Sequence, residues 1–496
     1  MKKYITIMLI TLAVAGSSCK KTYLDELATN PNTPAITTPD LALAGALKST
    51  AANFNGTGFT MYAAWMGYLS WSTGYQPNVQ LLSYQFTSST YDVWTNWYLN
   101  ISNYTAMANS TTNPYYQAIA KIMISYDYES LVDNYNNVPY TQALQGSTNL
   151  TPTYDTGSSI YDNLLTQLDA AIALIQGAPT GTITPTTSDI MYGGNMTNWA
   201  RFANTLRLRI IMRQYGPTGA INPNVSSKAG MFATELAKLF PSGTPATPLG
   251  FISTTAQEGK VNPGYANLDA NGGEQQPLDL AYGYNQSGAA IGNNPTYQAN
   301  TYAVNFYQSN SDPRLTQIYA TSTGGAVIAT PLGQTTPPAG TPSKLSAFLL
   351  NPTKAAFLFT AAESLFLQAE AAKDGLITGT ALTLYDAGIT ASFTDLGLTA
   401  AQATTYYSQA AIASPTEQNI ITQKWAALNP FAANEAFNEM RRTGIPNVPV
   451  SILPGNTQTT QPTRIFYPIV EYNVNAANVA AQGTISETSS KIFWAQ

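Results

Sequence analysis

The stretch WARFANTLRLRIIMRQYGP, residues 199–217, decides how the rest of the chain is read. Trp199, Phe202, Ala203, Leu206 and Ile210 recur at three- and four-residue intervals, the repeat of one helix face, and Gly216-Pro217 ends the run. Arg201, Arg207, Arg209 and Arg213 place four of the chain's 22 basic residues on this one helix. A buried guanidinium needs a counter-charge. The segment therefore predicts arginines paired with carboxylates between packed helices or at an interface, rather than an anion-binding surface.

Working outward, the same period returns. Trp94, Trp97, Tyr98, Ile101 and Ala108 fit a helix, with the tryptophans facing a core, and so do Ile160, Leu164, Leu168, Ala171 and Ile175 before Gly177. Leu358, Ala361, Ala362, Leu365, Ala369 and Ala372 form the clearest case, with Thr353 as its expected cap and Gly375 as its close. Further helices are predicted near Glu417–Leu428 and Phe431–Arg441, and a first one opening at Asp40 after Pro39. The pair 356–372 and 380–393 has the look of a tetratricopeptide unit. The fold expected is mostly α: a helical-hairpin scaffold with long irregular insertions. The largest insertion spans about 216–346, where Gly, Pro, Asn, Thr and Tyr dominate.

The N-terminus reads as an export signal over residues 1–18: Lys2 and Lys3, a short apolar run from Tyr4 to Ala15, then Gly16-Ser17-Ser18. That run is too short to span a bilayer, which takes about 20 apolar residues. Cys19 is the one cysteine among 496 residues and stands where the signal ends, as the acylated cysteine of a bacterial lipoprotein does. Thr29-Asn30-Pro31-Asn32-Thr33-Pro34 fits an extended tether, so residues 19–39 are expected to link a lipid to a single domain over 40–496.

Formal charge is −5, or −7 without the two signal lysines, and only 10% of residues are charged. Tracking of nucleic-acid phosphates needs clustered Lys and Arg, so it is disfavoured. No histidine occurs, which removes Ser-His-Asp, Cys-His and HExxH chemistry. There is no phosphate loop, and Gly56-Thr57-Gly58 lacks the third glycine of a dinucleotide fingerprint, so no cofactor or metal is expected. Among hydrolytic schemes a two-carboxylate glycosidase survives. The 31 tyrosines and 7 tryptophans, among many neutral amides and hydroxyls, suit a neutral polyhydroxyl ligand.

A series of short motifs then accumulates in order. After the Asn-Pro-Asn tether come Val138-Pro139-Tyr140 with Ala143, Pro152-x-Tyr154-Asp155 and Ile160-Tyr161. Asp189, Tyr192-Gly193-Gly194, Trp199 and Ala203 to Arg209 follow, then Asp312-Pro313-Arg314, Glu363 and Ala369-Glu370-Ala371. Gln423-Lys424-Trp425, Arg441-Arg442-Thr443-Gly444 and Arg464-x-x-Tyr467-Pro468 close it. Together these resemble the SusD/RagB family, in its starch-binding-type branch, over residues 19–496. The resemblance implies a SusD-like fold of four tetratricopeptide-like hairpins on the outer membrane of Bacteroidetes-type bacteria. It further implies a lid over a SusC-like TonB-dependent transporter that hands oligosaccharide to the pore; a minority of relatives take peptides.

The family carries its ligand residues on no fixed motif, so candidates come from position. Trp65, Trp71 and Tyr75 lie in a Gly-, Ser- and Gln-containing stretch between helices. Tyr265, Tyr282, Tyr284 and Tyr297 lie in the insertion among Asn267, Asn271, Asn285 and Asn293. Aromatic faces stack on a pyranose while amides bond its hydroxyls. Trp71 and Tyr75 are the leading ligand-binding candidates, followed by Trp65, Tyr282, Tyr284 and Tyr297.

Overall fold

The computed structural model describes residues 38–73, 79–239, 250–429 and 431–496. The signal, Cys19, the tether up to residue 37, and Tyr75 lie outside these residues. Helix α1 (Pro39–Asn55) opens one step earlier than expected: Thr38 is the cap, its Oγ1 accepting from Leu41 N at 3.3 Å. Proline suits the first helical position, where no N–H is needed, and this leaves Asp40 in the first turn beside the positive end of the dipole.

After α2 (Thr57–Trp65), helices α3 (Trp94–Asn109), α4 (Pro114–Tyr135), α5 (Gly157–Gln176) and α6 (Met196–Met212) pack in sequence, each against the next. The short 110–113 connection makes α3 and α4 antiparallel neighbours, whereas longer segments, 136–156 and 177–195, join the later pairs. Following α7 (Ala229–Leu239), α8 (Pro277–Tyr282) and α9 (Thr301–Ser309) comes a second group: α10 (Ala361–Lys373), α11 (Ala381–Asp395), α12 (Ala400–Tyr407), α13 (Glu417–Leu428) and α14 (Ala433–Thr443). There α10 packs on α11, α13 on α10, α14 on α13, and α6 joins the two groups by packing on α10. The protein is mostly α-helical, as the periodicity predicts.

Three differences from expectation have physical causes. The expected start of α10 near Thr353 fails because Ala356–Phe359 is a strand; Thr360 caps the helix, accepting from Glu363 N at 3.1 Å. A run of four buried apolar residues reads equally as helix or strand. The longest helix among the described residues, α4, escapes periodicity because its interior mixes Ser125, Asp127, Glu129 and Asp133 with apolar residues. The insertion is less irregular than its composition: besides α7 to α9 it supplies β2 (Gly259–Val261) and β3 (Tyr297–Ala299). Each pairs antiparallel with a strand from outside it, β2 with β4 (Ala356–Phe359) and β3 with β1 (Leu69–Trp71).

The helix read first behaves as its arginines require. Arg209 is fully buried, with Glu129 at 2.5 Å and Glu363 at 3.1 Å; Arg213 meets Asp133 at 3.2 Å and also Glu435. Arg207 pairs with Asp169 and Glu235, both at 2.7 Å, whereas Arg201 takes the neutral Asn198. Beside this network Arg442 bridges Glu370 and Glu439, and Lys424 holds Glu439 at 2.9 Å. Thus α4, α6, α10, α13 and α14 are tied through one buried lattice of charge. Removing one member strands the others without water, which typically costs about 3–5 kcal/mol.

Candidate functional site: an aromatic face at the β1–β3 pair

Five residues separate Trp65 from Trp71, and the chain turns between them at Gly67. Its φ is +69°, and a Cβ there would stand 2.9 Å from the Tyr302 ring and 3.1 Å from Val448. Only glycine suits both the left-handed backbone and the space. The turn sends Trp65 inward and leads into β1. Trp65 is 2% exposed, stacked on Phe86 at 5.5 Å and packed on Phe437 at 5.1 Å. It is a core residue, because the last turn of α2 faces α14, and it shows no face to solvent.

Trp71 is half-buried at the end of β1, directly opposite Tyr297 in the register of β3. Opposed residues on one sheet face lie close enough for their rings to touch. The centroids are 4.4 Å apart with planes tilted by 36°, and Tyr282 meets Tyr297 edge-on at 5.5 Å. Two segments more than 200 residues apart in sequence therefore meet in one aromatic row, Trp71–Tyr297–Tyr282. Tyr282 and Tyr297, 2% and 4% exposed, serve as its backing rather than as open platforms.

Tyr284, two residues after Tyr282 and 44% exposed, stands at the base of a tight loop. Asn285 closes the loop, its N bonding Ala289 O at 2.9 Å and its Oδ1 accepting from Ala289 N at 2.8 Å. Asn294 likewise bonds Tyr282 O, at 2.7 Å. These amides build the loop, although composition offers them as sugar contacts. Tyr265 is buried, and Asn267 is exposed. Beneath the row, Lys344 donates to Tyr297 O, and burial holds its ammonium below the usual lysine range. Burial also pushes Asp279 up to about 6, while the Tyr284 N–H opposes that rise. The void among Leu69, Tyr282, Tyr297 and Lys344 is only about 10 Å³, so a ligand can lie on this face but not enter it.

Most sequence motifs resolve into supports. Asp189 accepts from Trp199 Nε1 and Gly194 N, both at 2.8 Å, and so fixes the entry to α6. Arg314 is held by Asp312 at 2.6 Å and Gln423 at 2.8 Å; Tyr467 donates to Asn137 O at 2.7 Å. Glu258 is buried and the Asp395 side chain, 3% exposed, lies near it, with Lys260 2.6 Å from Glu258 and 3.8 Å from Asp395. Burial, then the Glu258 charge, pushes Asp395 up to about 9. Among the described residues, Glu370, Asp374 and Glu417 lie close enough to share a cation, but Lys373 already stands 2.6 Å from Asp374 and 3.0 Å from Glu417.

No helix among the described residues is long and apolar enough to cross a membrane. No curated protein sequence matches the chain. Solved structures do. A SusD homolog from Bacteroides uniformis superposes with a TM-score of 0.73 at 22% identity, covering 92% of this chain and 99% of its own. A chitin-binding SusD homolog from Flavobacterium johnsoniae gives 0.72 at 23%, covering 91% and 98%. A SusD-like protein from Bacteroides thetaiotaomicron gives 0.70 at 21%, covering 92% and 98%. At these identities the likeness establishes the fold. Residues 31–468 match the model of a SusD-like family described as starch-binding and associating with the outer membrane. The chain belongs to that SusD-like family of outer-membrane-associated binding proteins.

Proposed function

We propose that this protein captures neutral oligosaccharide on the face led by Trp71 and Tyr284 and passes it to a SusC-like TonB-dependent transporter, without chemistry on the sugar. The observation that carries this reading is the cross-strand stack of Trp71 on Tyr297, backed by Tyr282. An indole fixed from behind presents a flat apolar surface at little entropic cost, which is what a sugar ring's C–H face needs. The family's starch-binding description and a chitin-binding structural relative support a glycan as ligand. In this reading Cys19 carries the lipid that holds the protein to the outer membrane, residues 1–18 are removed, and 40–496 act as one unit. Transfer to the transporter rests on family resemblance.

The rival glycosidase would need two accessible carboxylates about 5 Å or more apart. The Glu258 and Asp395 side chains are only 0% and 3% exposed, which favours binding without cleavage. The test is titration of the full chain with malto- and chito-oligosaccharides, with reducing ends assayed on the same samples. Saturable binding with no new reducing ends is expected. Release of reducing ends, lost on replacing one carboxylate, would replace the capture reading with hydrolysis.

A further inference from the structure

Strand β3 carries the Tyr297 ring on which Trp71 stacks, yet it is only three residues long. Backbone groups along an antiparallel strand alternate between its two edges, so Tyr297 and Ala299 present theirs to the same side. For Ala299 the partners there are backbone: its N–H donates to Ser343 O at 2.7 Å, and its carbonyl accepts from Thr330 N at 3.1 Å. For Tyr297 a side chain does the work, the ammonium of Lys344, which donates to the carbonyl.

Lys344 is itself held in place. Ser343 N donates to Ile328 O at 2.8 Å, Lys344 O accepts from Ala320 N at 2.9 Å, and Ser346 N donates to Ile318 O at 2.9 Å. With Leu69, Tyr282 and Leu345 it lines the void of about 10 Å³ beneath the row. Among the described residues no carboxylate pairs with it. The titratable groups on the elements packed around it are Tyr282 of α8, Tyr297 of β3 and Tyr319, which bridges to Leu345 and donates its hydroxyl to Tyr68 O at 2.7 Å. Because burial favours its neutral form, Lys344 gives up its proton at less alkaline pH than an exposed lysine, and its bond to the carbonyl then loses charge assistance.

We propose that Lys344 is a positioning residue of the aromatic row: by holding the Tyr297 carbonyl it fixes the ring that backs Trp71, without touching the sugar. The role rests on the capture reading, whereas the geometry does not. Lys344→Met keeps the stem and loses the charge, and it should weaken malto- or chito-oligosaccharide binding about fivefold, part of the worth of one charge-assisted hydrogen bond. In the wild-type chain affinity should fall by a similar factor between pH 7 and pH 10, and that fall should vanish in Lys344→Met. A lysine that only supported the fold would give no such limb. The ligand-free readout is the near-ultraviolet circular dichroism contributed by Trp71, taken as the difference from Trp71→Phe. It should shrink in Lys344→Met while the melting curve holds. Should Lys344→Met melt early, the same two signals followed against pH in the wild-type chain carry the test, and flat profiles there overturn the proposal. Unchanged affinity and dichroism in a folded Lys344→Met, or an alkaline fall that survives the substitution, would overturn it equally. Absence of oligosaccharide binding in the wild-type chain would overturn capture instead, and the dichroism alone would then decide the positioning.

Discussion

The interior around Arg209 and the face around Trp71 are both made of side chains able to hold a ligand, and they differ in what closes over them. Around Arg209 every charge meets an opposite charge from another helix, and Tyr126 and Phe359 cover the guanidinium at 5.2 and 4.5 Å. Around Trp71 the aromatic row is backed by Tyr297 and Tyr282, and Trp71 itself stays half-buried. Trp65 and Trp71 show the same contrast within six residues, across Gly67. Residue type names the interaction a side chain can make; the second wall decides whether the protein or a ligand makes it.

The largest effect should come from breaking the interior. Arg209→Met leaves Glu129 and Glu363 buried without their cation and should cost about 3–5 kcal/mol in urea denaturation. A loss below about 1 kcal/mol would mean that the lattice is solvated and that the contrast with the face is overstated. Close behind, Trp65→Ala should open a core cavity and cost about 3–5 kcal/mol, with glycan affinity retained wherever the variant is folded. Affinity lost at unchanged stability would move Trp65 from the core to the site.

The smallest effect concerns Asp395. Its folded value of about 9 lies above its ordinary 3.8, so the folded state holds the proton more tightly. The stability it contributes is complete below about pH 4 and is lost as pH rises through about 9. Asp395→Asn should flatten that fall by at least one pKa unit's worth, about 1.4 kcal/mol, in denaturation series run at pH 5, 7 and 9. An unchanged slope would assign the pH dependence to other carboxylates.

Much of this architecture is legible in the sequence where helices have one wet side. The runs at 94–109 and 157–176 alternate buried and exposed positions, and their spacing locates them. Helix α4 is not legible, because buried acids, hydroxyls and amides interrupt the apolar stripe that periodicity detects. Arg209 and Arg213 announce buried partners but do not say which; the acids come from α4, α10 and α14, fixed only by packing. At the site, Trp71 and the Tyr282–Tyr297 segment were each legible as candidates, whereas their contact was not. Strands of three residues carry too little pattern to pair by eye, and β1 and β3 are joined by tertiary register. The buried state of Trp65, Tyr282 and Tyr297 was equally hidden, since an aromatic ring packs as well in a core as on a sugar.

The most direct test of capture on this face measures melting temperature and oligosaccharide affinity together on Trp71→Ala. Stacking one sugar ring on an indole hides roughly 60–80 Å² of apolar surface, worth about 2 kcal/mol at ~25 cal/mol/Å². Binding should therefore weaken by roughly 30-fold while melting shifts little. Melting lowered as in Trp65→Ala, with affinity preserved at low temperature, would place Trp71 in the core and contradict the aromatic face as the site of capture.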